Sequence, residues 1–318
     1  MQTKYIIGTA LAVVTLASTG FSGTPVCQPT PTCAPAKESP WKVSLESGYQ
    51  SNYTYRGLVA SHSIFEGDSV IPSNIDVEYK LCDINSIVGN IGYTAITSGH
   101  HYFGDRDLPG AKDQSNFMLG WQRKDWVKGL STTLSYNITH GGFPGMWAKL
   151  MNGKSHSLTQ EFGLDIRYNL CEKWHAGVYT SYSFEGVTGW WFMPYVGYST
   201  AVCPYADLNI TAGMSATASY FNGNHRRSSY SELINDQLQT WDVVDPRGFQ
   251  KNGAQAYWIK FEMPIKFCKT NDAWKLTPFV SFNWAGNAVT DNNKRIDKSD
   301  RIYKNFGVVA GASISYTF

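Results

Sequence analysis

The chain of 318 residues sets 27 Lys and Arg against 25 Asp and Glu, a net charge of +2, so no large field recruits nucleic acid or acidic substrates. Charged residues make up 16% of the chain, well under the roughly 25% of an ordinary soluble domain, while aromatics reach 14% and glycines number 29. Beyond Ala17 no apolar run approaches the roughly 20 residues of a membrane helix, which leaves β-structure with unusual surfaces.

Met1–Lys4 is a short positive start, Tyr5–Ala17 is apolar, and small residues run from Ser18 to Gly23. This order predicts a secretory signal peptide over 1–23, cut near Ser22 or Gly23, with an N-terminal anchor as the alternative. Thr24-Pro25-Val26 is a poor context for lipid attachment at Cys27. Residues 24–40 hold five prolines and two cysteines. They can form neither helix nor central strand and are expected to be a periplasmic tail.

From Trp41 the chain alternates with period two, as a strand does and a helix cannot. Trp41, Val43, Leu45, Tyr49, Tyr53 and Tyr55 fall on one face, and Lys42, Glu46, Gly48, Gln50 and Arg56 on the other. The pattern recurs at Ile75–Leu81, Val88–Thr97, Phe117–Arg123, Leu130–Ile138, Phe162–Leu170, Trp174–Phe184, Trp190–Tyr198, Leu208–Tyr220, Tyr257–Phe267, Leu276–Trp284 and Phe306–Phe318. Connections after Cys82, Lys124, Cys171, Cys203 and Cys268 are short. Most of the others are long, with Gly186–Gly189 the exception. Twelve alternating segments joined this way predict an all-β fold, a closed antiparallel transmembrane β-barrel over 41–318, in the outer membrane of a bacterium. Closure is required because an open edge in hydrocarbon would leave N–H and C=O groups unsatisfied. A secreted sandwich also alternates. It would put charges across its polar face, where this chain carries Gly, Ser, Thr and Asn with scattered charges of opposite sign.

Twelve strands lie between barrels that side chains fill and barrels that enclose a wide channel, so a narrow lumen is expected. Its charges are uneven. Lys42, Glu46, Arg56, Asp76, Glu78, Lys80, Asp165, Arg167, Lys260, Glu262 and Lys266 are the candidate pore-lining residues, whereas the ninth and twelfth segments present small residues. Two readings stay open: separated charges that orient a small charged or zwitterionic solute, or ion pairs that brace the wall. In the long connections, Ser229-Tyr230-Ser231-Glu232 reads as a capping box with Leu233, Ile234 and Leu238 on one helical face. Phe143–Ser155 could form a second short helix; either could fold inward or face lipopolysaccharide.

Six cysteines in an exported chain favour disulfides. Cys82, Cys171, Cys203 and Cys268 each end a strand and should ring the periplasmic rim. Next-but-one strands sit about 9–10 Å apart, beyond the roughly 7 Å limit for a bridge. Cys27 and Cys33 could therefore staple the tail to the rim, or bridge each other. Ring-spaced cysteines do not converge on a metal, and no cofactor is indicated. None of the seven histidines has Ser two positions on, and no Asp-His pair occurs, so no enzyme is expected.

Two segments resemble known families. Ser313–Phe318, with Tyr316 and Phe318, resembles the C-terminal aromatic signal read by the barrel-assembly machinery. Gly48–Ser61 is similar to the opening of the TorF-like porins, with Asn52 where Asp is usual and Tyr55 where Phe is common. The resemblance implies an outer-membrane pore of unassigned cargo. The expected function is passive diffusion of small hydrophilic solutes; a filled barrel serving as anchor or surface receptor is the alternative.

Overall fold

The computed structural model describes residues 39–59, 69–96, 114–141, 158–185, 189–218, 228–234, 237–243, 252–267, 273–294 and 304–318. The signal peptide, almost all of the tail, Cys27, Cys33, Cys268 and the segment 143–155 lie outside them. Twelve long strands form the wall: β1 (Trp41–Gln50), β2 (Val70–Lys80), β3 (Asn85–Ile96), β4 (Gln114–Val127), β5 (Leu130–Gly141), β6 (Leu158–Asn169), β7 (Trp174–Glu185), β8 (Gly189–Cys203), β9 (Ala206–Ala218), β10 (Gly253–Glu262), β11 (Trp274–Ala285) and β12 (Phe306–Thr317). Each pairs antiparallel with its sequence neighbour, and β1 closes on β12 through the register Leu45↔Tyr316. The sheet is therefore a closed up-and-down barrel, as the alternation predicts.

Outward positions carry the apolar half of each stripe. Leu45, Ile75, Ile91, Leu119 and Leu134 stand exposed around the middle of the wall. Aromatic pairs lie at both ends. Trp41–Tyr79, Trp174–Tyr198 and Trp274–Tyr316 sit at the short-turn end with centroids 4.5, 4.9 and 4.6 Å apart. Tyr182–Trp190 and Trp284–Phe306, 4.9 and 5.6 Å apart, sit at the long-loop end. An aliphatic band between two aromatic girdles is the outer surface of a membrane barrel, and an even strand number in one chain is that of the bacterial outer membrane. Phe318 extends the last strand, its amide donating to the Val43 carbonyl at 2.9 Å.

The tenth segment is shorter than the alternation suggests. Pro264 has no N–H, so β10 stops at Glu262 and resumes only as the two-residue strand Ile265–Lys266. The extra residue Gln255 bulges β10 where the register to β9 shifts. The capping-box segment is also corrected: Ser228–Ile234 and Gln237–Val243 pair as an antiparallel hairpin, Leu233 opposite Leu238. The β-branched and aromatic residues Tyr230, Ile234, Thr240, Trp241 and Val243 outweigh the local cap. A short helix, α1 (Asn287–Asn293), follows β11, with Ala288 and Val289 buried.

Inside the wall, rings lie against glycines. A Cβ on Gly213 would stand 2.5 Å from the Trp258 ring, one on Gly177 2.5 Å from Tyr195, and one on Gly311 2.7 Å from Phe279. The His175 and Tyr179 side chains lie over Gly197 and Gly163 in the same way. Laying a ring along the wall keeps it out of the centre. Gly213→Val should expel the Trp258 ring and cost about 1–3 kcal/mol by overpacking. Urea unfolding of the variant in lipid vesicles reads this, and an unchanged curve would mean that the ring is not seated there.

Candidate functional site

The first strand was expected to run to Arg56, but it ends at Gln50. The chain then turns into the lumen as an inner hairpin, Thr54–Tyr55 pairing with Leu58–Val59. Arg56 and Gly57 are the two turn residues at φ 50° and 88°. Positive φ at both is the type I′ geometry, whose twist matches the strands it joins. Arg56 bears the strain of the left-handed region, and Gly57 enters it freely.

Side chains of this segment reach most of the way round the wall. Tyr53 donates to Gln114 Oε1 on β4 at 2.7 Å. Gly57 rests on Trp258 of β10 and Val59 on Gly307 of β12. The Lys304 amide donates to the Val59 carbonyl at 3.0 Å, and Lys304 Nζ to Asn52 Oδ1 at 3.1 Å. Across the barrel Arg56 forms an ion pair with Glu161 of β6, donates to Ser181 Oγ of β7 at 3.1 Å, and lies 4.8 Å over the Trp191 ring of β8. The hairpin is as buried as a soluble core, with Tyr53, Leu58 and Val59 at 5%, 1% and 3% exposure.

Below it lies a cavity of about 710 Å³, lined by Arg56, Asp165, Tyr179, Tyr195, Trp258 and smaller side chains of β3 to β9. Asp165 accepts from the Tyr195 hydroxyl at 3.3 Å. Tyr179 stands directly opposite Asp165, which in turn faces Thr133 of β5. Gln122 donates to Thr133 Oγ1 at 3.2 Å. Large aromatic groups were not among the expected lining residues, although the parity showed them: Trp258 is in phase with Lys260 and Glu262, and Trp191 and Tyr195 with Gly197.

The remaining candidates occupy the inward face, and some of them are ion-paired. Glu78 accepts from Lys124 Nζ at 2.6 Å and from Ser86 Oγ at 2.8 Å, with Lys42 opposite it in register. Asp76 ends a ladder in which Asn116 donates to Asn90 at 2.9 Å and Asn90 to Asp76 at 2.8 Å. Glu46 is opposite Asn74, Lys80 opposite Ser86, and Arg167 opposite Ser131. Lys260 pairs with Glu262 at 2.7 Å and lies 4.6 Å from the Phe279 centroid. Lys266 sits at the short-turn rim, 3.7 Å from Asp207. Bracing ion pairs thus account for much of the charge, including Lys124 and Glu161, which were not among the expected lining residues.

Cys82, Cys171 and Cys203 are free and exposed at the short-turn end. Their placement follows the expected ring; no disulfide joins them. Asn85 Nδ2 donates to Cys82 Sγ at 3.2 Å, and this hydrogen bond holds the thiol below its ordinary pKa.

No family model and no curated protein matches the chain. Solved barrels do align with it. The KdgM porin covers 87% of this chain and 99% of its own, at TM-score 0.41 and 8% identity. The NanC porin covers 86% and 98% at 0.45 and 7%. An outer-membrane channel from Pseudomonas putida F1 covers 89% and 97% at 0.45 and 9%. Likeness at this level bears no argument about cargo; the barrel stands on its own strand pairing.

Two outcomes follow. Glu161→Ala removes a buried ion pair of Arg56 and should cost about 3 kcal/mol of hairpin docking. Amide exchange at Leu58 and Val59 should then quicken by about 100-fold, since 1.4 kcal/mol is tenfold; unchanged protection would show that the pair does not hold the hairpin. For Cys82, a lowered pKa means that thiolate persists to lower pH. Its alkylation midpoint should fall below the roughly 8.5 of a free thiol, and Asn85→Ala should raise it.

Proposed function

We propose that the protein is a narrow outer-membrane channel for passive diffusion of small hydrophilic solutes, with the inner hairpin as its constriction. The observation that carries this reading is the lumen cavity of about 710 Å³ beneath the hairpin. A barrel meant only as an anchor would gain stability by filling that space with side chains. Instead, rings are laid against the wall over glycines, which preserves it.

Charges of both signs on the inward face, Asp165 and Arg167 among them, favour a charged or zwitterionic solute over a neutral one. The Gly48–Ser61 stretch that resembles the TorF-like porins contains the constriction, in keeping with membership of that family. Tyr316 and Phe318, at the end of the closing strand, suit the assembly signal, and the outer girdles suit contact with lipid and lipopolysaccharide. No hydrolytic step is assigned to this barrel.

The buried hairpin favours a second reading, a plugged barrel that acts as anchor or receptor through its long loops. Single-channel recording of the refolded protein in a planar bilayer separates the two. Discrete steps are expected, and a change on adding reductant would implicate Cys27, Cys33 or Cys268 in stapling the tail across the periplasmic mouth. Lys260→Glu with Lys266→Glu should shift the reversal potential toward cation selectivity. Silence from folded protein would favour the plugged barrel.

A further inference from the structure

We propose that the cavity beneath the hairpin is a binding subsite for a small organic cation, its ammonium group held by Asp165 among the rings of Tyr179, Tyr195 and Trp258. The inference rests on the channel reading only in requiring that solute can enter the lumen.

The charge balance of the cavity points there. Its lining holds two formally charged side chains, Arg56 and Asp165. Arg56 is matched by Glu161 and stacked on Trp191. Asp165 has no ion pair among the described residues; its neutral partner is the Tyr195 hydroxyl at 3.3 Å. Arg167 lies two positions along the same strand, outside the lining, and makes no ion pair with it. Within the lining, the Asp165 carboxylate is thus the charge without an ion-pair partner. A half-buried carboxylate beside aromatic walls is unfavourable until a cation or water meets it.

The walls select the kind of cation. Tyr179 is the register partner of Asp165, and Met193 is the register partner of Tyr179, so carboxylate, ring and thioether follow one another across β6, β7 and β8. Tyr195 is next along β8, and Trp258 contributes the largest ring of the lining. Aromatic faces attract a desolvated ammonium through their quadrupole, and polarizable methionines, Met118 and Met193, accommodate its hydrocarbon body. A hydrated metal ion keeps its water and gains little from rings, and a carboxylate-bearing solute meets Asp165 as a like charge. The volume suits a molecule of small-ligand size.

Calorimetric titration of folded wild-type protein in detergent micelles with benzyltrimethylammonium chloride tests the idea, with sodium benzoate as the anionic control of similar shape. Saturable binding of the ammonium and none of benzoate is expected. Asp165→Asn should weaken binding at least tenfold, Asp165→Glu should restore part of it, and Trp258→Phe should leave it nearer wild type than Trp258→Leu. Folding of every variant is read by far-UV circular dichroism; if Asp165→Asn fails to fold, the Trp258 pair decides. Benzoate binding as tight as the ammonium, equal ammonium binding by folded Asp165→Asn, or Trp258→Leu binding like wild type would overturn the subsite. Ammonium binding by a protein that never conducts would keep the subsite and overturn the channel. Conductance with no ammonium binding would do the reverse.

Discussion

Everything in this molecule depends on the absence of water from the hydrocarbon layer. A backbone amide there has no partner except another strand, so the sheet must close, and closing it creates an interior. Closure also reverses the usual sense of packing. The exposed Leu45, Ile75 and Leu134 face lipid, while Ser181, Ser183, Ser215 and Asn283 are buried on the inside. Stability comes from the hydrogen-bonded ring of strands, and the interior is free to be shaped for other ends.

Two devices shape it. Rings seated over glycines line the wall without crossing the lumen, and one hairpin does cross it. The hairpin depends on a few concentrated contacts: the Arg56 ion pair, the Gly57 contact with Trp258, and Val59 on Gly307. It belongs to no barrel ladder. Because it stands outside the ladder, it can open without unpairing the wall. The ion pair itself contributes position more than stability. Desolvating two charges offsets much of their attraction, but only one geometry satisfies both.

The barrel was legible because its code is strictly local: period two decides which face each side chain takes, and the twelve segments follow it apart from the bulge at Gln255 and the break at Pro264. What failed was reading beyond that rule. Extending the first stripe through Tyr53 to Arg56 follows parity, and of the two turn residues only Gly57 favours positive φ, so Arg56-Gly57 carries a weak local turn signal. Ser229–Glu232 matched a helix cap, while the β-branched and aromatic residues around Asn235-Asp236 specified a hairpin. The charged lining was placed on the inward face by alternation. Its pairing, Glu78 with Lys124 or Arg56 with Glu161, spans two strands or the whole lumen and has no local signature. The inward aromatic rings follow parity as well, but aromatic residues also mark the membrane girdles, so residue type alone does not separate the two.

The glycine seats have a consequence for how such a barrel can diversify. Bore and charge reside in different residues: Gly177, Gly213 and Gly311 decide how far each ring stands from the axis, while most of the acids and bases of the lining sit on other strands. Exchanging a glycine for alanine would tilt one ring inward and leave every charge in place; exchanging a charge would leave the cross-section alone. Calibre and selectivity are thus separate dials on one scaffold, and a lineage of these barrels could reset either without first rebuilding the sheet.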